Sequence, residues 1–414
     1  MDDRFSPSTR SASAASRPLQ LLLVLYATSA VAVALQRTLL STENNFLILR
    51  AAAAHVASGA DLYAAYPSLH ADFFKYSPTF ALLFRPFAVF PVVPGYVLWA
   101  LCCALAVFVG VRQLLGVRAA TIALMLAWLP VVGDLQRAQS NALCAGLMLL
   151  AWVSFERAQS WRAAAAIAAG AFVKIFPLAA LVGALLHPRR LRFALHFVVV
   201  LVVGTALPLL VTTPQRLSEQ YASWRAIETA DAAPLARYGT GGAGLYAGLM
   251  GLIRAWFGVE WPHWPVQLAG LVLLLAPVAL RRDRWVDRQF RVTLIASILV
   301  FCVLFNHQAE SPSYAIAMIG IAVWFSAAEH AWWRVTLMAF AFVVVNLGST
   351  DLTPRAWYAD YYVRYMLKTV PLIPVWIVMQ LELMGVVQNR GRASEFGEGH
   401  EGERRIPQAL ADGR

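Results

Sequence analysis

The stretch "ADFFKYSPTFALLFRPFAVFPVVPGYVLWALCCALAVFVGV", residues 71–111, decides the class of fold. It opens with Asp72 and Lys75, then carries apolar residues for longer than one membrane-spanning helix, which takes ~20 residues, requires. Pro86, Pro91 and Pro94 interrupt it, so the sequence predicts an interfacial first part before the span proper. Pro78 reads as a break where a helix should begin. Charges are costly in hydrocarbon, so Asp72, Lys75 and Tyr76 mark a membrane edge.

The whole chain has the same character. Of its 414 residues 59% are hydrophobic and 14% charged, with a mean hydropathy of +0.60. Soluble domains carry about 25% charged residues, so a soluble enzyme is excluded. Apolar runs lie near 18–36, 79–111, 119–132, 141–155, 163–173, 175–187, 192–211, 264–280, 292–305, 312–328, 335–347 and 369–387. They predict an all-α polytopic membrane protein of about twelve segments. The first run follows Arg4, Arg10 and Arg17 and lacks a clear small-residue cleavage site, so it reads as a retained anchor.

The net charge of +11 could suggest nucleic acid, but its distribution excludes that partner. The turns 112–118, 156–162, 187–192, 281–291 and 329–334 hold thirteen Lys and Arg, whereas 133–140, 174 and 306–311 hold two. Basic residues concentrate in cytoplasmic turns, so the first set is cytoplasmic, with both chain ends. The expected plan is a cytoplasmic segment 1–17, a membrane domain 18–387 and a cytoplasmic tail 388–414. That tail, including "GRASEFGEGHEGERRIPQALADGR", is polar and Gly-rich, so disorder is expected. External loops are expected at 37–78, 212–263 and 348–368, in the cytoplasmic (plasma) membrane. Cys102, Cys103, Cys144 and Cys302 all fall in apolar runs, with neither a disulfide framework nor metal-ligand spacing.

Polar residues gather on the external side. Residues 44–58 space Phe46, Leu49, Ala53 and Val56 at helical intervals and predict an amphipathic surface helix. "GDLQRAQSN" (133–141) supplies Asp134, Gln136, Arg137, Gln139, Ser140 and Asn141 between two apolar runs. That density of donors and acceptors suits a hydroxylated ligand, where a solvated turn would need fewer. Lys174 in "AGAFVKIFPLAAL" needs an anion or a polar cavity, unless it snorkels or pairs with an Asp. His307, Gln308 and Glu310 directly follow an apolar run; a lone His such as His307 is as readily structural as functional.

These features resemble membrane glycosyltransferases of the GT-C type, family 87, which includes polyprenyl-phosphate-mannose-dependent mannosyltransferases. The resemblance spans roughly residues 20–385 and rests on five stretches. They are "NNFLILRAAAAHVASGADLY", "KYSPTFALLFRPFAVFP", "QRAQSNALCAGLMLLAW", "FVKIFPLAALVGALLHPRR" and "HQAESPSYAIA". It implies inverting transfer of a sugar from a polyprenyl-phosphate donor to a glycan or glycolipid acceptor outside the cytoplasmic membrane. The lipid-linked sugar is then a substrate, and no resident cofactor is implied.

Such chemistry needs cations at the departing phosphate, a carboxylate for the acceptor proton and a polar sugar pocket. Lys174, Lys75 and Arg137 are phosphate candidates. Gln136, Gln139, Asn141 and His307 are sugar candidates, with Asn44, Asn45, Tyr76 and Glu310 on the same face. The family's first external loop carries an Asp–Phe pair whose Asp is its expected base, but this sequence reads Asn44-Asn45-Phe46. An amide cannot take the proton. Glu43, Asp134 and Asp72 are the alternative bases; loss of transfer, leaving a glycan- or lipid-binding member, is the other reading. A lipid or polyol transporter would favour mid-membrane polar residues and an internal repeat. The polar residues cluster on one side instead, and no clear repeat is seen.

Overall fold

The computed structural model describes residues 9–232, 248–259, 261–350 and 352–387. Residues 1–8 and the tail 388–414 lie outside the described residues, as does part of the expected loop 212–263. Helices and their connections make up the described chain, and no strand occurs among the described residues. The principal helices are α1 (Thr9–Leu39), α2 (Asn44–Ser58), α3 (Pro78–Leu83), α4 (Val92–Leu114), α5 (Val117–Leu135), α6 (Asn141–Glu156) and α7 (Ser160–Val173). They continue as α8 (Arg190–Ala206), α9 (Pro214–Ala232), α10 (His263–Leu280), α11 (Arg288–Leu304), α12 (Tyr314–Ser326), α13 (Trp332–Ala341) and α14 (Leu372–Met384).

All twelve apolar runs are largely helical, yet only six helical stretches among the described residues are long and apolar enough to cross a membrane. These are Arg17–Leu39, Val92–Leu114, Val117–Leu135, Arg190–Leu210, His263–Leu280 and Leu367–Met384. Length therefore supports six spans where hydropathy predicted about twelve. Local breaks explain some of the shortening. Lys174 ends α7, and a short 3₁₀ helix, Phe176–Leu181, with Pro177 in its first turn, starts the next apolar piece.

Small residues let the helices approach closely. An added Cβ on Gly146 of α6 would stand 2.4 Å from the Ala106 carbonyl carbon of α4. Such contacts take the place of hydrophobic drive where lipid is as apolar as the protein. Tyr26 of α1 donates to the Leu124 carbonyl of α5 at 2.8 Å, and Trp128 donates to Ser29 at 3.0 Å. The interior holds Trp99, Trp152 and Trp324, while α8 turns Leu191, Leu195, Val198, Val202 and Val203 outward. An apolar outer surface of this kind fits lipid, not water.

A charged pair lies inside the bundle. Arg334 and Glu382 have almost no exposed side chain and meet at 2.5 Å. Trp324 donates its indole N–H to the other Glu382 oxygen at 2.8 Å, and Arg334 donates to the Trp324 carbonyl at 2.6 Å. Pairing and these hydrogen bonds make the burial tolerable.

Candidate functional site

Pro78 starts a helix; it does not break one. It occupies the first turn of α3, where a missing N–H costs nothing. The Ser77 hydroxyl oxygen caps that helix, accepting from the Phe80 N–H at 3.1 Å. The same hydroxyl donates to the Phe172 carbonyl in the last turn of α7 at 2.6 Å. Thr79 donates to the Gly204 carbonyl of α8 at 2.9 Å. The opening stretch is thus wedged against α7 and α8, two residues from Lys174.

Beside this junction lies a cavity of about 770 Å³. Its apolar wall includes Phe172, Ile175, Leu178, Phe197 and Leu201. Its polar wall brings together Asn45, Asp72, Lys75, Tyr76, Gln139, Lys174 and Glu310, seven of the fourteen candidate catalytic and substrate-binding residues, with Gln308 beside them.

Lys174 is held within that wall by side-chain acceptors. Its backbone is extended (φ −146°, ψ 153°), so the side chain leaves the α7 axis at the point where the helix stops. The ammonium donates to the Asn141 Oδ1 at 2.9 Å and to the Gln139 Oε1 at 3.3 Å. The rings of Tyr76 and Phe176 flank it at 6.0 and 5.9 Å. Burial pushes the Tyr76 phenol above its ordinary 10.0, so it faces the site as a neutral hydroxyl. The 136–140 turn is bent to this purpose, with Ala138 in a left-handed conformation (φ 48°) and its carbonyl held by the Trp99 indole at 3.2 Å.

The remaining candidates sit elsewhere. Asp134 is buried below the turn and does not line the cavity; both its oxygens accept hydrogen bonds, from Asn141 Nδ2 at 2.8 Å and the Ala142 N–H at 2.9 Å. Glu43 precedes α2 and is not on the cavity wall. Gln136 and Arg137 contribute backbone carbonyls, to Arg37 at 2.5 Å and Asn45 at 2.7 Å, while the Arg137 side chain is exposed. His307 stacks on His263 at 5.3 Å and meets Gln267 at 3.1 Å, away from the cavity lining.

The Asn pair has a structural role of its own. The Asn44 carboxamide oxygen accepts from the Ala71 N–H at 2.8 Å, tying α2 to the segment that carries Asp72. Asp72 is exposed and reaches the cavity wall. A carboxylate therefore stands beside the Asn pair, supplied from another part of the chain.

Sequence reasoning missed α9, which brings Tyr221, Trp224 and Glu228 to the cavity. Gln220 holds it in place, accepting from the Leu62 N–H at 3.0 Å and donating to the Ala60 carbonyl at 2.9 Å. Trp224 donates to the Lys75 carbonyl at 3.3 Å. Thr213-Pro214 was an available signal, a hydroxyl residue followed by Pro at a helix start; the Thr213 Oγ1 accepts from the Arg216 N–H at 3.3 Å.

Comparison with curated proteins gave no match. Two solved structures show a distant likeness. One is the apo oligosaccharyltransferase of Archaeoglobus fulgidus, with 14% identity, a TM-score of 0.39, and coverage of 86% of this chain and 56% of that one. The other is the oligosaccharyltransferase AglB of Archaeoglobus fulgidus with an inhibitory peptide and a dolichol-phosphate, with 14% identity, a TM-score of 0.38, and coverage of 90% and 56%. The chain spans little more than half the length of these proteins. The sequence profile of glycosyltransferase family 87 matches residues 73–306, more than half of the chain, from the segment bearing Lys75 past Lys174. The chain belongs to glycosyltransferase family 87.

Proposed function

We propose that this protein transfers a mannose-like sugar, with inversion, from a polyprenyl-phosphate donor to a glycan or glycolipid acceptor on the outer side of the cytoplasmic membrane. One observation carries the reading. Lys174 presents a half-buried cation to a cavity lined by apolar side chains on one hand and by carboxylates and amides on the other. A lipid-linked sugar phosphate has an apolar, an anionic and a hydroxylated part to match the three.

In this reading the first isoprene units lie along Phe172, Leu178 and Phe197. Lys174 binds the phosphate, with Lys75 as the second cation on the wall. Asn45 and Gln139 address sugar hydroxyls. Asp72 takes the proton of the acceptor hydroxyl as that oxygen bonds to the anomeric carbon from the face opposite the phosphate. The anomeric C–O bond breaks, and its electron pair leaves with the phosphate. Lys174 stabilises the charge that grows there, a contribution larger in a water-poor site than in bulk water.

The test is transfer by purified protein in lipid nanodiscs. A radiolabelled polyprenyl-phosphate mannose is compared with the matching nucleotide sugar, each with a membrane glycolipid fraction as acceptor. The proposal expects label in the acceptor from the lipid donor alone. Transfer from the nucleotide sugar, or none from the lipid, overturns it.

A further inference from the structure

A buried carboxamide has two chemically different ends, and nothing within it decides which end faces which neighbour. At Asn141 the neighbours decide. Asp134 accepts through both oxygens, one from Asn141 Nδ2 at 2.8 Å and one from the Ala142 N–H at 2.9 Å. The second bond anchors Asp134 to a backbone donor in the first turn of α6, which has no partner within its own helix. The first bond commits the amide nitrogen of Asn141 to Asp134. Its oxygen must then face the other way, where it accepts from Lys174 Nζ at 2.9 Å. Asp134 and Asn141 are each about 1% exposed, so water does not replace either partner.

We infer that Asp134 is a positioning residue for Lys174, acting through the Asn141 carboxamide; this rests on the assignment of Lys174 to the donor phosphate. The order carboxylate, amide, ammonium matters. A carboxylate in direct contact with Lys174 would occupy it and cancel its charge. An amide in between orients the ammonium and leaves its charge for an incoming anion. Gln139 Oε1 supplies the second neutral acceptor at 3.3 Å, so two of three N–H groups are directed and one is left for the ligand.

The experiment compares D134N with the exchange D134N/N141D, in nanodiscs, using a polyprenyl monophosphate as the probe. The exchange keeps one carboxylate, one carboxamide and the bond between them, but brings the carboxylate to Lys174. Both variants are expected to bind the probe about tenfold more weakly, the equivalent of one hydrogen bond to a charged group. The exchange is expected to keep the parent's thermal midpoint. In a K174M background, D134N is expected to have no further effect on affinity. Parent-like binding by the exchange, or an undiminished D134N effect on affinity without Lys174, overturns the relay and makes Asp134 a residue of the fold alone. A parent that does not bind the probe refutes the donor reading instead. The relay is then read from Lys174 itself, by mass-spectrometric acylation of its amine. D134N is expected to raise that rate about threefold or more by releasing the amine from its acceptor; an unchanged rate overturns the relay.

Discussion

The Ser77 hydroxyl donates to the Phe172 carbonyl at 2.6 Å while accepting from the Phe80 N–H at 3.1 Å. One side chain therefore starts α3 and fixes it to the end of α7, beside Lys174. Ser77→Ala removes both bonds from a buried place. We predict a loss of stability of about 1–2 kcal/mol and a raised KM for the lipid donor, checked by denaturation in detergent and by transfer kinetics. Unchanged stability would show that the junction is held by packing alone.

Asp72 and Glu43 separate cleanly by place. Asp72 reaches the cavity wall and Glu43 does not. Asp72→Asn is predicted to lower kcat by about 10²–10⁴-fold with donor binding kept, the usual contribution of a general base. Glu43→Gln is predicted to leave kcat near that of the parent. The reverse ranking would return the base to the position beside Asn44.

The Arg334–Glu382 pair should be costly to break from one side. Arg334→Met leaves a buried carboxylate without its cation and is predicted to cost about 3–5 kcal/mol. Arg334→Met with Glu382→Leu is predicted to recover most of that loss. Thermal unfolding of the three proteins in one detergent checks this, and equal destabilisation of the single and double variants would refute it.

Orientation can be read by labelling. Leu69 lies on the cavity side and Val286 in a basic turn, and both are well exposed. In a protein lacking its own cysteines, a membrane-impermeant thiol reagent outside intact cells is predicted to label Leu69→Cys and spare Val286→Cys. The opposite pattern would turn the molecule over.

The all-helical class was legible because hydropathy is a local property that survives folding. Lys174 was legible for a related reason, since a charge in an apolar run must find a partner. The number of spans was less legible. Hydropathy registers apolar runs, whereas helix length depends on where polar residues and prolines end each turn. Pro78 was misread because its effect depends on its position within a helix, and Ser77 places it at the start. Asp134 stands among the candidate bases in the sequence because sequence cannot show that it lies off the cavity wall. Trp224 and Glu228 were missed because Trp224 meets the Lys75 carbonyl, and Glu228 the same cavity, across about 150 residues of sequence.

The most direct measurement is donor binding by Lys174→Met, which keeps the side chain's length and removes its charge. Titrated in nanodiscs with a polyprenyl-phosphate sugar, folded Lys174→Met is predicted to bind at least about tenfold more weakly than the parent, with transfer reduced accordingly. Parent-like affinity and parent-like transfer in that variant would contradict the account.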